Sequence, residues 1–103
     1  MNMGQGRHTI ADIKAILEKS RRNLRDRYKV DELGVFGSIV RGEADSTSDI
    51  DILVSFRGDI DYFDFLELEE HLSGLLGVPV DLVERDSLKP HIGERILSEV
   101  VML

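Results

Sequence analysis

The sequence predicts a small mixed α/β domain of the α+β class, a three-stranded mixed sheet packed with helices. Three observations carry that prediction. Apolar residues recur at helical spacing in three separate segments, three short apolar runs are bounded by glycine or proline, and the connections between the runs differ in length. A chain of 103 residues with 42% hydrophobic and 32% charged content fits one core and not two.

The elements follow in order. Thr9, with Asp12 three residues on, reads as a helix N-cap, and Ile10, Ile13, Ile16, Leu17 and Leu24 then recur at helical spacing, so one helix is expected from about Ile10 to Arg27. Leu33 to Phe36 is a short apolar run closed by Gly37, and Asp49 to Phe56 alternates polar and apolar residues; both read as strands. The polar stretch from Ser38 to Ser48 is shorter than a parallel crossover needs, so these strands are expected to pair antiparallel. Phe65, Leu68, Leu72 and Leu75 mark a helix that Gly77 and Pro79 end, and Val78 to Val83 reads as a third strand, parallel to the second across that helix. Pro90 opens a last helix reaching about Val101. Residues 1–9 read as a flexible tail and 10–103 as a single domain. The apolar end, Val100 to Leu103, suits either docking on the sheet or a subunit contact within a homo-oligomer.

Composition excludes several functions. No apolar run approaches the ~20 residues of a bilayer span, and the N-terminus lacks the apolar core of a signal peptide, so a cytoplasmic location is expected. The absence of cysteine excludes disulfides and thiolate metal sites, leaving carboxylates and three histidines as metal ligands. His8 stands in the tail, and His71 and His91 read as ordinary helix-surface residues beside Glu67 and Glu94. The net charge of −7 is divided unevenly: residues 1–30 hold eight Lys/Arg against three Asp/Glu, the remainder five against seventeen. The basic first helix reads as a solvated face, with a phosphate- or partner-contacting face as the alternative, and the acidic body argues against direct nucleic-acid binding.

The chemistry concentrates in the strands. Asp49 and Asp51 leave the same face of the second strand about 6.5–7 Å apart, while Ile50, Ile52 and Val54 claim the other face for the core. Two like charges so placed are either solvated or bridged by a hard cation such as Mg²⁺. Asp81 stands between Val80 and Leu82 in an otherwise apolar strand; if the second and third strands are neighbours, three carboxylates converge, a set able to hold two Mg²⁺ ions for phosphoryl chemistry. Gly37-Ser38, directly after the first strand, offers backbone N–H groups and a hydroxyl to an anion.

Together, Gly37-Ser38, ten intervening residues, Asp49-Ile50-Asp51 and the later Asp81 resemble the signature of the DNA polymerase β-like nucleotidyltransferases. The stretch from Phe36 through Arg41-Gly42-Glu43-Ala44 to Ser48 and Val54 is similar to its minimal nucleotidyltransferase (MNT) branch, and the likeness covers roughly residues 10–103. The resemblance implies the polymerase β-like palm fold and transfer of a nucleoside monophosphate, most plausibly AMP from ATP, with release of pyrophosphate. It implies that Asp49, Asp51 and Asp81 hold two Mg²⁺ ions, with Asp81 helping to deprotonate the incoming hydroxyl, and that Gly37 and Ser38 hold the triphosphate with support from Arg41 and Ser48. It also implies a HEPN-domain partner, with this chain as the antitoxin of a HEPN/MNT toxin–antitoxin pair that modifies a hydroxyl on that partner. The alternative is a non-catalytic module that neutralises or scaffolds a HEPN partner by contact.

Overall fold

The computed structural model describes residues 9–44 and 48–103. The expected mixed sheet is present with four strands, not three. It runs β3-β2-β1-β4, from β1 (Val30–Phe36), β2 (Ile50–Phe56), β3 (Val80–Glu84) and β4 (Val101–Met102). β1 and β2 pair antiparallel and β2 and β3 pair parallel, both as the connection lengths require.

The added strand is the apolar C-terminus, which docks on the sheet as a two-residue antiparallel partner of β1. Its seat explains a glycine in mid-strand. A Cβ on Gly34 would lie 2.6 Å from Val100 Cγ2 and 2.9 Å from Met102 Sδ. So short a strand carries no periodicity to read, and only this close approach specifies it.

The expected first helix is two: α1 (Ile10–Glu18), capped by a reciprocal Thr9–Asp12 box, and α2 (Arg21–Tyr28). They meet at Lys19-Ser20, where Ser20 N–H bonds the Leu17 carbonyl and the Ser20 carbonyl accepts from Leu24 N–H. The break lets α1 lean on the long helix α4 (Tyr62–Leu76) while α2 packs against β1 as well. Apolar spacing did not show it, because Ile13, Leu17, Leu24 and Tyr28 all face inward on both sides of the bend. Two of the basic residues are paired within the chain, Arg21 with Glu18 and Arg27 with Glu67, as a solvated face would be.

One core fills the space between one face of the sheet and α1, α2 and α4. Val35, Ile50, Ile52, Val54, Val80 and Leu82 meet Ile13, Leu24, Leu68 and Leu72 there. A four-residue helix α3 (Ser38–Arg41) follows β1, and α5 (Pro90–Glu99) follows a 3₁₀ turn at Arg85–Ser87. Of the expected tail, residues 1–8, with His8, lie outside the described residues. Among the described residues no helix is long and apolar enough to cross a membrane.

Candidate active site

The site grows from the ends of three strands. β1 ends at Phe36, whose register partner is Asp51 on β2, and Asp51 is in turn the register partner of Asp81 on β3. Neighbouring strands lie about 4.8 Å apart and paired side chains share a face, so Asp51 and Asp81 stand side by side. Asp49 is exposed, one residue ahead of β2, and Ser48 before it is half-buried.

Gly37 closes over Asp51. Its φ of 81° and ψ of −149° belong to a region that only glycine occupies readily, and a Cβ there would sit 2.0 Å from Asp51 Oδ2. The turn then enters α3 with Ser38 at its first position and Arg41 at its last. Asp45, Ser46 and Thr47, in the connection to β2, lie outside the described residues.

Asp81 is fixed by α4, a contribution the sequence did not signal. β3 is an edge strand, and its outward N–H groups at Val80 and Leu82 donate to Ser73 Oγ at 3.0 Å and Glu69 Oε2 at 2.8 Å. Ser73 Oγ donates in turn to the Glu69 carbonyl at 2.9 Å. The residues on either side of Asp81 are thus tied down while its own carboxylate remains exposed.

The electrostatics favour a cation. The Asp51 carboxyl is held above the usual aspartate range, first by its burial, then by Asp81 and Asp49; Arg41 partly offsets this and Glu99 adds to it. Glu99, at the end of α5, is a third residue that no spacing announced. Its Oε2 accepts the Gly37 N–H at 2.7 Å, and both its oxygens lie 3.2 Å from Arg41 Nη1. These donors, the Gly37 N–H foremost, hold the Glu99 carboxyl below its ordinary value. Arg41 also donates through Nε to Glu43 at 3.0 Å, and the two glutamates, Glu43 first, raise its already high pKa.

Hard oxygen donors that repel one another are the chemistry of a divalent-cation site, and Asp51 beside Asp81 fits Mg²⁺. Among the described residues no three His, Cys, Asp or Glu side chains stand ready-gathered around an ion position, so the expected set of three converging carboxylates is not assembled in this structure. The two described histidines are elsewhere: His71 packs on the Tyr28 ring at 5.7 Å, and His91 is exposed on α5. A cavity of about 260 Å³ between α1, α2, β1 and β4, lined by Lys14, Arg21, Glu32 and Met102 among others, includes none of the site residues.

The nucleotidyltransferase domain family matches residues 17–103. The chain belongs to that family, and it is a nucleotidyltransferase. It is 50% identical over 93 residues to the protein adenylyltransferase MntA of Thermococcus cleftensis, covering 90% of this chain and 94% of the relative. A solved structure assigned as a minimal nucleotidyltransferase superposes with a TM-score of 0.71 at 38% identity, over 90% of each chain. Another, a tri-AMPylated HEPN toxin of Shewanella oneidensis in complex with its MNT antitoxin, superposes with a TM-score of 0.64 at 25% identity, over 87% of this chain and 70% of the other. The fold expected from the Gly37 to Asp81 pattern is therefore the one present.

Proposed function

We propose that this nucleotidyltransferase moves AMP from ATP to a hydroxyl on a HEPN-domain partner protein and acts as the antitoxin of that pair. The observation that supports it most is the placement of Asp51 and Asp81 as register partners beneath Gly37, in a chain half identical to a protein adenylyltransferase.

In this reading Asp49, Asp51 and Asp81 would hold Mg²⁺, and the bound metal would supply neutralisation of the charge that develops on the phosphates. Gly37 lets the turn approach the triphosphate closely, Ser38 presents its hydroxyl to it, and Arg41 and Ser48 flank it. The acceptor oxygen forms a bond to the α-phosphorus as the bond from that phosphorus to the bridging β-phosphate oxygen breaks. Asp81, exposed where Asp51 is half-buried, takes the acceptor's proton; pyrophosphate leaves with the electron pair. Such transfer depends on positioning and electrostatic stabilisation, with no covalent enzyme intermediate, so a chain without cysteine suffices.

The test is transfer of label from ATP carrying radioactive α-phosphate to a purified HEPN-domain partner protein. Mg²⁺-dependent labelling of that protein is expected, with a loss of about 10³-fold or more in the Asp49→Asn/Asp51→Asn variant. Labelling that survives in the variant, or that fails with all four nucleoside triphosphates, overturns the catalytic reading. A double variant that still binds the HEPN protein but neither labels nor neutralises it supports catalytic antitoxin action, whereas one that neutralises it fully without labelling supports neutralisation by contact.

A further inference from the structure

Glu99 lies at the far end of the chain from the Gly37–Arg41 turn, yet it is the residue that joins the two functional parts of that turn. One of its carboxylate oxygens takes the Gly37 N–H at 2.7 Å, and both stand 3.2 Å from Arg41 Nη1. Its side chain is 28% exposed, so the contact is partly shielded from water. Arg41 ends the turn that Gly37 begins over Asp51, and it is held there by Glu99 on one side and Glu43 on the other.

The backbone around Glu99 is itself anchored. Val100 follows immediately and contacts the space left by Gly34, and Val101 and Met102 pair with Val35 and Gly34 on β1. Leu103 N–H then bonds the Leu33 carbonyl at 2.9 Å. The carboxylate is therefore delivered to the turn by a segment clamped to the same strand from which the turn emerges. A charged group so held fixes its partners more firmly than a free surface side chain does.

From this geometry we infer that Glu99 is a positioning residue for nucleotide transfer, holding the Gly37 backbone and the Arg41 guanidinium in the arrangement that receives the triphosphate beside Asp51. The inference rests on the nucleotide-transfer reading above. Glu99 touches neither the reacting phosphorus nor the acceptor; it acts through Gly37 and Arg41.

The test is calorimetric titration of the full chain with ATP and Mg²⁺, with thermal melting and transfer kinetics in parallel. Glu99→Ala is expected to weaken ATP binding and raise KM by about tenfold or more, the scale on which outer supporting contacts act, with a smaller change in kcat. Glu99→Gln keeps an acceptor for the Gly37 N–H and loses only the charge that holds Arg41. It is expected to recover part of the binding, and its remaining defect should vanish in an Arg41→Ala background, since the two changes then remove the same interaction. This near-isosteric variant keeps the test open if Glu99→Ala fails to fold.

A lowered melting temperature in both variants with unchanged KM would make Glu99 a merely structural tie and overturn the inference. Tighter binding of ATP in Glu99→Ala would also overturn it, since the carboxylate would then be a competitor for the phosphate position. Wild-type protein that binds no nucleoside triphosphate would overturn the nucleotide-transfer reading and this inference with it, an outcome visible before any variant is made.

Discussion

On the face of the sheet turned toward α1, α2 and α4, Val35, Ile52, Val54 and Leu82 meet Ile13, Leu24, Leu68 and Leu72. On the other face, one residue along each strand, stand Gly34, Asp51 and Asp81, and Phe36 and Leu53 are buried there outside the main core. The same strands thus present a surface that wants every methyl group it can hold and a surface that needs glycine and tolerates like charges. The second is built at the expense of stability, and the first supplies what it lacks.

The sharpest contrast comes from one methyl added and three carbons removed. Leu68 is 0% exposed in the middle of α4, so Leu68→Ala leaves a cavity that its rigid neighbours cannot close. A loss of about 2–5 kcal/mol is expected, read as a fall of at least about 10 °C in melting temperature. The residual folded fraction should bind ATP with near wild-type affinity, because Leu68 lies in the core on the face of the sheet opposite Asp51 and Asp81.

Gly37→Ala works the other way. The added Cβ, 2.0 Å from Asp51 Oδ2 and on backbone with φ of 81°, forces the turn away from the carboxylate. A smaller stability loss, about 1–3 kcal/mol, is expected alongside a loss of ATP binding beyond calorimetric detection. If Gly37→Ala still bound ATP, the close approach of the turn to Asp51 would have no part in recognition.

The two faces were also unequally legible in the sequence. The core face could be read because burial imposes a period: Ile50, Ile52 and Val54 on the strand and Leu68 and Leu72 on the helix repeat at the spacing their elements require. Asp49, Asp51 and Asp81 were conspicuous for the opposite reason, as charges that break an apolar pattern, and the register of β2 with β3 places two of them together. What escaped was everything that depends on distant parts of the chain meeting. Glu99 reaches Gly37 across 62 residues, and Glu69 and Ser73 reach β3 from a helix face, none at any informative spacing. The bend at Ser20 escaped because the inward-facing residues keep their order through it, and β4 because two residues carry no period.

The smallest expected effect separates the faces by sign. Removing a buried apolar group destabilises, whereas Asp51→Asn is expected to stabilise the metal-free protein, because the native state raises the pKa of Asp51 through burial and through repulsion by Asp81 and Asp49. An acid whose folded pKa is raised contributes stability below its unfolded pKa, about 4, and loses that contribution as pH rises through the folded value. At pH 7 the cost is fully present, and the asparagine variant escapes it. Glu18, Glu67 and Glu99 have lowered values and give the opposite trend, stability present above their unfolded pKa and lost as pH falls, so the total pH profile mixes both signs. The difference between variant and wild type isolates Asp51. It should amount to a few degrees of melting temperature at pH 7, roughly 1 kcal/mol or less given the partial exposure of the group, and shrink toward zero as pH approaches 4. Adding Mg²⁺ at pH 7 should raise the wild type and leave the variant nearly unmoved, closing or reversing the gap. A variant less stable than wild type at pH 7 without metal would mean that Asp51 is held by contacts that outweigh its repulsion, and that the site face is as well satisfied as the core.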